Sequence, residues 1–499
     1  MIPLTLAEVA TATGGRLDAG TDPETVISGA VTIDSRAIGA GDLFVALPGE
    51  RVDGHDYAPA AVAAGAAAVL AVRPTGVPAV LVDDPVLALG RLAQAVRDRL
   101  PELVVVGVTG SSGKTSTKDL IAAVLSRAGA TVANQGSFNN EIGAPLTTLK
   151  VDAGTRFLVV EMGARGVGHI AYLADLTHPS IGVVLNVGAA HASEFGSKEA
   201  TAQAKGELVE ALAPSGLAVL NADDPLVIAM ALRTKARVAL TGVTEEAQVK
   251  AENISLDEEA RAAFDLVVDG VHPAAPVRVQ LAVHGAHHVG NALAAAAVGL
   301  EVGLPIAEIA EALSAAGAAS RWRMEVKRRS DGLVVVNDAY NANVDSMTAA
   351  LRALATMAAA LPGEAAGWAV LGEMLEIGAD TAQRHAGIGR LVAELGLVGL
   401  VTVGPGAVPI ADGAREAGTS VRVFSADGVD EAVALVQQNV RGGDVVLIKA
   451  SRAIGLERVA AGLLDETDQP STAIPESAKP AIPGIDAPAG PTERKEESA

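Results

Sequence analysis

The chain has 499 residues, 49% of them hydrophobic and 2% aromatic, with a formal net charge of −21. That length provides material for several packed domains, and the acidity excludes a nucleic-acid partner, which would need a basic face. Cysteine is absent, which removes disulfides, thiolate nucleophiles and zinc–thiolate sites and suits a reducing, cytoplasmic setting.

In chain order, the start MIPLTLAEVATATGG has neither a basic leader nor a long apolar stretch, so no signal peptide is read. Residues 1–85 mix short strands with one Ala-rich helix. The run AAVAAGAAAVLAV at 60–72 is too short to span a membrane, and no membrane insertion is expected. Residues 86–316 alternate apolar runs with amphipathic stretches of helical length. LVVVGV (103–108), FLVVEMG (157–163), IGVVLNVG (181–188) and GLAVLNADD (216–224) are continuous β-branched segments, as buried parallel strands require. Residues 317–465 repeat the pattern with LVVVNDAYN, WAVLGEM, LVTVG and DVVLIKAS. The expectation is an α/β protein of three domains, the central and C-terminal ones each built on a parallel sheet. Six prolines fall within 466–499 among Glu, Ser and Lys; that tail cannot bury enough apolar surface to offset its ordering entropy and is expected to be disordered.

TGSSGKTS, residues 109–116, follows a predicted strand and opens a predicted helix. Small residues let backbone N–H groups approach phosphate, and the helix N-terminus adds its dipole. Thr109, Gly110, Ser111, Ser112, Gly113, Lys114, Thr115 and Ser116 are the candidate phosphate cradle, with Lys114 reaching the outer phosphates and Thr115 holding Mg²⁺. The strict pattern G-x-x-x-x-G-K-[ST] fails by one place, because Val108 stands five before Gly113 and the glycine is Gly107. An ordinary Gly-rich βα turn is the alternative. No guanine-selective N-K-x-D stretch occurs, so ATP is the expected nucleotide.

Glu161 ends a strand and could support the metal, or be a solvated strand-end carboxylate. His191 follows the next strand end, where loops converge on the ligand crevice; it could equally be structural, and imidazole is an unusual partner for Mg²⁺, which prefers oxygen. Lys205 stands in the helical stretch EATAQAKGELVEAL, where a surface salt bridge to Glu207 or Glu210 is the alternative to a role in the site.

Taken together, TGSSGKT, NNEIGAPLTTL (139–149), EMGA, NVGAAHASEFGS and AKGEL, in that order, resemble the ATP-dependent Mur ligases of peptidoglycan synthesis. GAHHVGNALAAAAVGL (285–300), RWRMEV (321–326), NDAYNANVDSM (337–347), VLGEMLEIG (370–378) and VLIKASRAIGLERV (446–459) are similar in particular to the branch that joins D-alanyl-D-alanine to UDP-N-acetylmuramoyl-tripeptide. TIDSRAIGAGDLFVALPGERVDGHDYAPAAVAAGA (32–66) matches the family's UDP-binding module. The resemblance runs from residue 1 to about 462.

It implies a UDP-binding α/β module at 1–85, a P-loop ATPase-type central domain at 86–316 and a Rossmann-like C-terminal domain at 317–465. It implies two Mg²⁺ ions held by Thr115, Glu161, His191 and a carbamate formed on Lys205 from CO₂, which turns an ammonium into an oxygen ligand. Lys114, Lys205 and His191 are the implied catalytic residues, and Asn291, Arg323 and Asp338 further nucleotide contacts. Ser35 and Arg36 fall in the uridine-nucleotide module, and Asn139 and Asn140 in a substrate-side loop. Tyr340, Asn341, Asn343 and Ser346 lie by the expected D-Ala-D-Ala pocket. Lys449, Ser451 and Arg452 close the C-terminal signature without an assigned role. The implied chemistry is an acyl phosphate made from ATP and attacked by the dipeptide amine, with closure of the C-terminal domain over ATP and a monomer as the expected form. His288 stands where relatives usually carry Asn, Val344 for Pro, Glu373 for Asp and Ala450 for Gly. Another Mur-type ligase, folylpolyglutamate synthetase or a non-catalytic nucleotide-binding regulator are the alternatives.

Overall fold

The computed structural model describes residues 1–49, 52–134, 136–188, 196–270, 276–363, 365–378, 380–418 and 420–464. The tail at 466–499, His191 and the rest of the loop at 189–195 lie outside the described residues. The chain divides into two compact units, Met1–Leu92 and the part from Ala93 onward.

In the first unit, strands β1 (Arg16–Leu17), β2 (Val31–Thr32), β3 (Leu43–Val45), β4 (Ala68–Ala71) and β5 (Ala79–Leu81) form a sheet in the order β1-β5-β4-β3-β2, parallel except for β1. The apolar run at 60–72 is shared between the end of a short helix, Ala58–Ala63, and β4, which explains its length. A further helix, Leu6–Thr13, is closed at its start by a Thr5–Glu8 capping box.

The second unit holds two larger sheets. The first contains β6 (Val104–Thr109), β7 (Thr131–Ala133), β8 (Phe157–Glu161), β9 (Ile181–Val184), β10 (Leu217–Asn221), β11 (Arg237–Gly242), β12 (Val249–Leu256), β13 (Arg261–Val268) and β14 (Val277–His284), in the order β14-β13-β12-β11-β10-β9-β6-β8-β7. From β7 to β12 the pairing is parallel. The β-branched runs read from the sequence supply its middle, buried on both faces as parallel strands are. One departure stands out from strict βα alternation. Strands β12, β13 and β14 follow one another without helices, and β13 pairs antiparallel to both neighbours. The reason is in the pattern: Val279, Leu281 and Val283 are buried while Arg278, Gln280 and Ala282 between them are exposed, so one face is solvated.

The second sheet contains β15 (Glu325–Arg328), β16 (Val334–Asn337), β17 (Gly367–Gly372), β18 (Gly399–Val403), β19 (Arg422–Ala426) and β20 (Val445–Lys449), ordered β15-β16-β20-β17-β18-β19. All pairs are parallel except β15 with β16. No described helix is long and apolar enough to cross a membrane.

Candidate functional site

The site forms where β6, β8 and β9 end, because parallel strands deliver their C-terminal loops to one edge. β6 ends at Thr109, whose hydroxyl donates to the Met162 carbonyl at 2.9 Å and fixes the strand end. The turn then runs through 110–113 into helix α1 (Lys114–Leu125). Gly113 caps that helix at φ +78°, in the left-handed region that favours glycine. A methyl placed on it would fall 2.7 Å from Asn291 Oδ1. Gly107, the glycine out of step with the strict motif, lies inside β6, and a methyl there would meet Leu208 and Met162 at 3.0 Å. It serves strand packing, and Gly110 opens the turn.

Asn186, just beyond β9, ties the turn down: its carbonyl accepts from Ser111 N–H at 3.1 Å and its Oδ1 from Ser112 N–H at 2.9 Å. The Ser111 hydroxyl accepts from Gly188 N–H at 2.9 Å. Lys114 Nζ donates to the Gly110 carbonyl at 2.8 Å, folded back over the turn.

Around Thr115 lies a compact polar cluster. Its hydroxyl donates to Glu161 Oε2 at 2.8 Å and lies 2.8 Å from Ser137 Oγ. Asn139 Nδ2 donates to the other Glu161 oxygen at 2.7 Å. Glu161 is buried, so the solvated strand-end alternative does not hold. Arg323, from beyond the central sheet, donates through one guanidinium nitrogen to Ser137 Oγ at 2.8 Å and to Thr115 Oγ1 at 3.1 Å. The guanidinium stacks over the Tyr340 ring at 4.1 Å, and Arg323 Nε is buried without a hydrogen-bond partner. Such a donor is costly to leave unmade unless a ligand takes it.

Lys205 sits on helix α2 (Lys198–Glu210) and is 2% exposed. The salt-bridge alternative fails. Glu207 accepts from Gly168 N–H and Ala171 N–H, at the start of the helix His169–Thr177, and Glu210 pairs with Arg233. Burial, helped by the nearby Lys114 charge, pushes the Lys205 amine well below the usual lysine range. Burial also lowers Lys114, against the pull of Glu161.

Asn291 lies on helix α3 (His288–Glu301), whose Ala-rich face packs into the same core as α1. Its Nδ2 donates to His288 Nδ1 at 3.2 Å. Burial holds His288 well below the ordinary histidine range, so the neutral ring accepts and fixes the amide with Oδ1 toward Gly113. Asp338 is engaged on both oxygens, accepting from Met324 N–H at 3.1 Å and from Lys449 Nζ at 2.6 Å.

Other expected site residues have local duties. Asn140 Oδ1 accepts from Gly143 N–H at 2.9 Å. Asn343 and Ser346 form a reciprocal capping box that starts helix α4 (Val344–Ala359), which fixes the helix start without a proline at Val344. Asn341 Oδ1 accepts from Ala342 N–H at 2.9 Å. Ser35 and Arg36 belong to the first unit, where Arg36 makes two 2.8 Å bonds to Asp34. Ser116 lies in the first turn of α1. Ser137 and Asn186 were not singled out from the sequence, although both stand in the polar loops that follow strand ends.

The donor set suits a hard cation. Thr115 Oγ1 and Glu161 Oε2 lie 2.8 Å apart, close to the spacing of adjacent oxygens on an octahedral ion with bonds of about 2.0–2.1 Å. Among the described residues no group of three His, Asp or Glu could hold a metal, so an ion here would draw on ligand oxygens and water. Arg323 takes part of that hydroxyl's capacity.

Three family descriptions match: "Mur ligase family, catalytic domain" over residues 29–110, "Mur ligase middle domain" over 108–299 and "Mur ligase, glutamate ligase domain" over 322–452. A UDP-N-acetylmuramoyl-tripeptide–D-alanyl-D-alanine ligase of Mycobacterium tuberculosis (strain H37Rv) is 48% identical, covering 94% of this chain and 99% of its own length. The Escherichia coli K12 enzyme of the same name is 35% identical over 93% and 99%. Crystal structures of MurF from Acinetobacter baumannii (TM-score 0.81, 30% identity, 92% and 98% covered) and of a Thermotoga maritima MurF ligase in complex with ADP (TM-score 0.74, 29% identity, 87% and 97% covered) share the fold. With that identity carried across nearly the whole length of its relatives, the chain belongs to the Mur ligase family, on its MurF branch.

Proposed function

We propose that this chain is an ATP-dependent ligase that joins D-alanyl-D-alanine to UDP-N-acetylmuramoyl-tripeptide during peptidoglycan precursor synthesis. The observation that carries the mechanism is the meeting of Lys114, Thr115, Glu161 and Arg323 at one glycine-capped turn. Joining a carboxylate to an amine in water is uphill, and carboxylate is a poor electrophile. The tripeptide carboxylate attacks the γ-phosphorus, ADP leaves, and an acyl phosphate forms. The dipeptide amine then attacks the carbonyl carbon, loses a proton, and phosphate departs as the amide forms.

Phosphoryl transfer needs positioning and charge neutralisation more than covalent help. Lys114 turns from the Gly110 carbonyl to the transferring phosphate, and Arg323 offers its unpartnered Nε to the same group. Asn139, held by Glu161, belongs to the substrate-side loop, and Asn291 is assigned to the adenine. Thr115 and Glu161 would hold one Mg²⁺, and His191 with a carbamate on Lys205 a second; when bound, the ions offset phosphate charge. The depressed Lys205 amine supports the carbamate reading: a neutral amine attacks CO₂ and releases a proton, whereas an ammonium cannot. Ser35 and Arg36 are assigned to the uridine nucleotide, and Tyr340, Asn341, Asn343 and Ser346 to the dipeptide side, with Asp338 shaping the nucleotide edge. Domains at 1–85, 86–316 and 317–465, a monomeric state and a cytoplasmic location belong to the same proposal.

The test is ADP release by the full chain with ATP and Mg²⁺. Release that requires both the UDP-muramoyl-tripeptide and D-Ala-D-Ala supports the ligase. ATP binding without release when both are supplied, or phosphate retained on one acceptor, sinks it in favour of a regulator or a kinase.

A further inference from the structure

Residues 449–452, KASR, were left without a role by the sequence, and they converge on the segment that carries Arg323. Trp322 and Met324, on either side of Arg323, have φ of +58° and +50°. Two non-glycine residues in the left-handed region within one tripeptide are strained, and the surroundings must impose that conformation. Each is held by the same signature. Lys449 Nζ, 2% exposed, donates to Asp338 Oδ2 at 2.6 Å and to the Asn341 carbonyl at 2.8 Å. The other Asp338 oxygen accepts the Met324 N–H at 3.1 Å. Arg452 stacks its guanidinium over the Trp322 ring at 4.2 Å and pairs with Glu457 at 2.7 Å. Ahead of the strained tripeptide, the Ser320 hydroxyl donates to Asp119 Oδ2 on α1 at 2.7 Å, which ties the segment to the helix that begins at Lys114.

We infer that Lys449, through Asp338, and Arg452, through Trp322, are positioning residues that force the turn at 322–324 and thereby aim Arg323 at the Thr115–Ser137 edge of the nucleotide site. With left-handed backbone on both sides of it, Arg323 extends its guanidinium to Thr115 and Ser137 beside the central sheet. Lys449 acts through Asp338 and the Asn341 carbonyl and so holds the geometry of the turn. The signature then couples the last strand of the second sheet to phosphoryl transfer in the first. The inference rests on the reading of Arg323 as a phosphate contact, and the experiment separates the two.

Steady-state kcat and KM for ATP are measured for the full chain and for Arg323→Ala, Lys449→Met, Lys449→Met/Met324→Gly, Arg452→Leu and Arg323→Ala/Arg452→Leu, with melting curves for each. Lys449→Met should lower kcat on the order of 10²-fold, the effect of misplacing a reacting group by about 1 Å. Adding Met324→Gly should return about tenfold of that, because glycine takes the left-handed region without the penalty that Met pays. Arg452→Leu should lower kcat by a few-fold, roughly the rate equivalent of a partly exposed cation–π contact, with its melting curve unchanged. It should have no further effect once Arg323 is already Ala, since residues acting through one another are not additive. If Lys449→Met does not fold, the two Arg452 variants carry the test alone. An unchanged kcat in Arg323→Ala overturns the reading beneath the inference. A large loss in Arg323→Ala, with Arg452→Leu either silent or fully additive to it, overturns the inference alone.

Discussion

Two turns in this chain share one layout of strand, glycine-rich turn and helix. At the first, β6 passes through Gly110 and Gly113 into α1, and what faces the turn is Lys114, Arg323 and the amide of Asn291, with the Glu161 carboxylate drawn aside onto the Thr115 hydroxyl and Asn139. At the second, β18 passes through Gly404 at φ +81°, Pro405 and Gly406 into the helix Val408–Glu416. What faces that one is Glu373: a methyl on Gly406 would fall 2.1 Å from its carboxylate oxygen. A turn plugged by the protein's own anion cannot take phosphate. The backbone motif is therefore permissive, and the charge of the neighbours decides whether it binds.

Substitutions on both turns can break or sharpen that contrast. The largest effect should come from Lys114→Met, with kcat falling on the order of 10²–10³-fold in the ADP-release assay, the usual cost of losing one charge-stabilising donor in a transition state. Lys205→Ala should follow, with a loss of roughly 10–10²-fold, the range seen when metal-supporting groups are removed. Short carboxylic acids should partly restore that activity by replacing the carbamate, and full activity in the unsupplemented variant would remove the carbamate from the account. Gly113→Ala should raise KM for ATP about tenfold, since the methyl meets both the left-handed backbone penalty and Asn291. Gly406→Ala should leave KM for ATP untouched and cost only stability, about 1–3 kcal/mol of overpacking read as a lower Tm. Were Gly406→Ala to raise KM for ATP while Gly113→Ala did not, the two turns would have been assigned the wrong way round.

Much of this was legible in the residues themselves. The runs at 104–109, 157–161 and 181–184 are continuous and β-branched, and buried parallel strands leave that mark regardless of tertiary context. The turn at 109–116 was legible because its glycines, lysine and threonine are adjacent in the chain. The antiparallel strands at 249–284 could have been read from the alternation in VRVQLAVH, but the regular βα rhythm around them pointed elsewhere. The Glu161–Asn139–Ser137–Thr115 cluster could not be read, because it joins a strand end, a loop and a helix start that are distant in the chain, and nothing in a strand-end carboxylate says which hydroxyl it will meet. The strained turn at 322–324 was also hidden. Trp and Met seldom adopt left-handed backbone, so sequence reasoning argues against what Lys449 and Arg452 impose. His288, where the resemblance implies Asn, supplies an acceptor for the Asn291 amide.

The central claim is that phosphorus moves from ATP onto the tripeptide acid at the 109–116 turn before the amide forms. The most direct measurement uses UDP-muramoyl-tripeptide labelled with ¹⁸O in its terminal carboxylate, with mass analysis of the phosphate released on ligation. Attack by the carboxylate makes a labelled oxygen the bridge to phosphorus, and cleavage on the carbon side leaves it there, so the account predicts one ¹⁸O in each phosphate. Unlabelled phosphate accompanying complete ligation would contradict it.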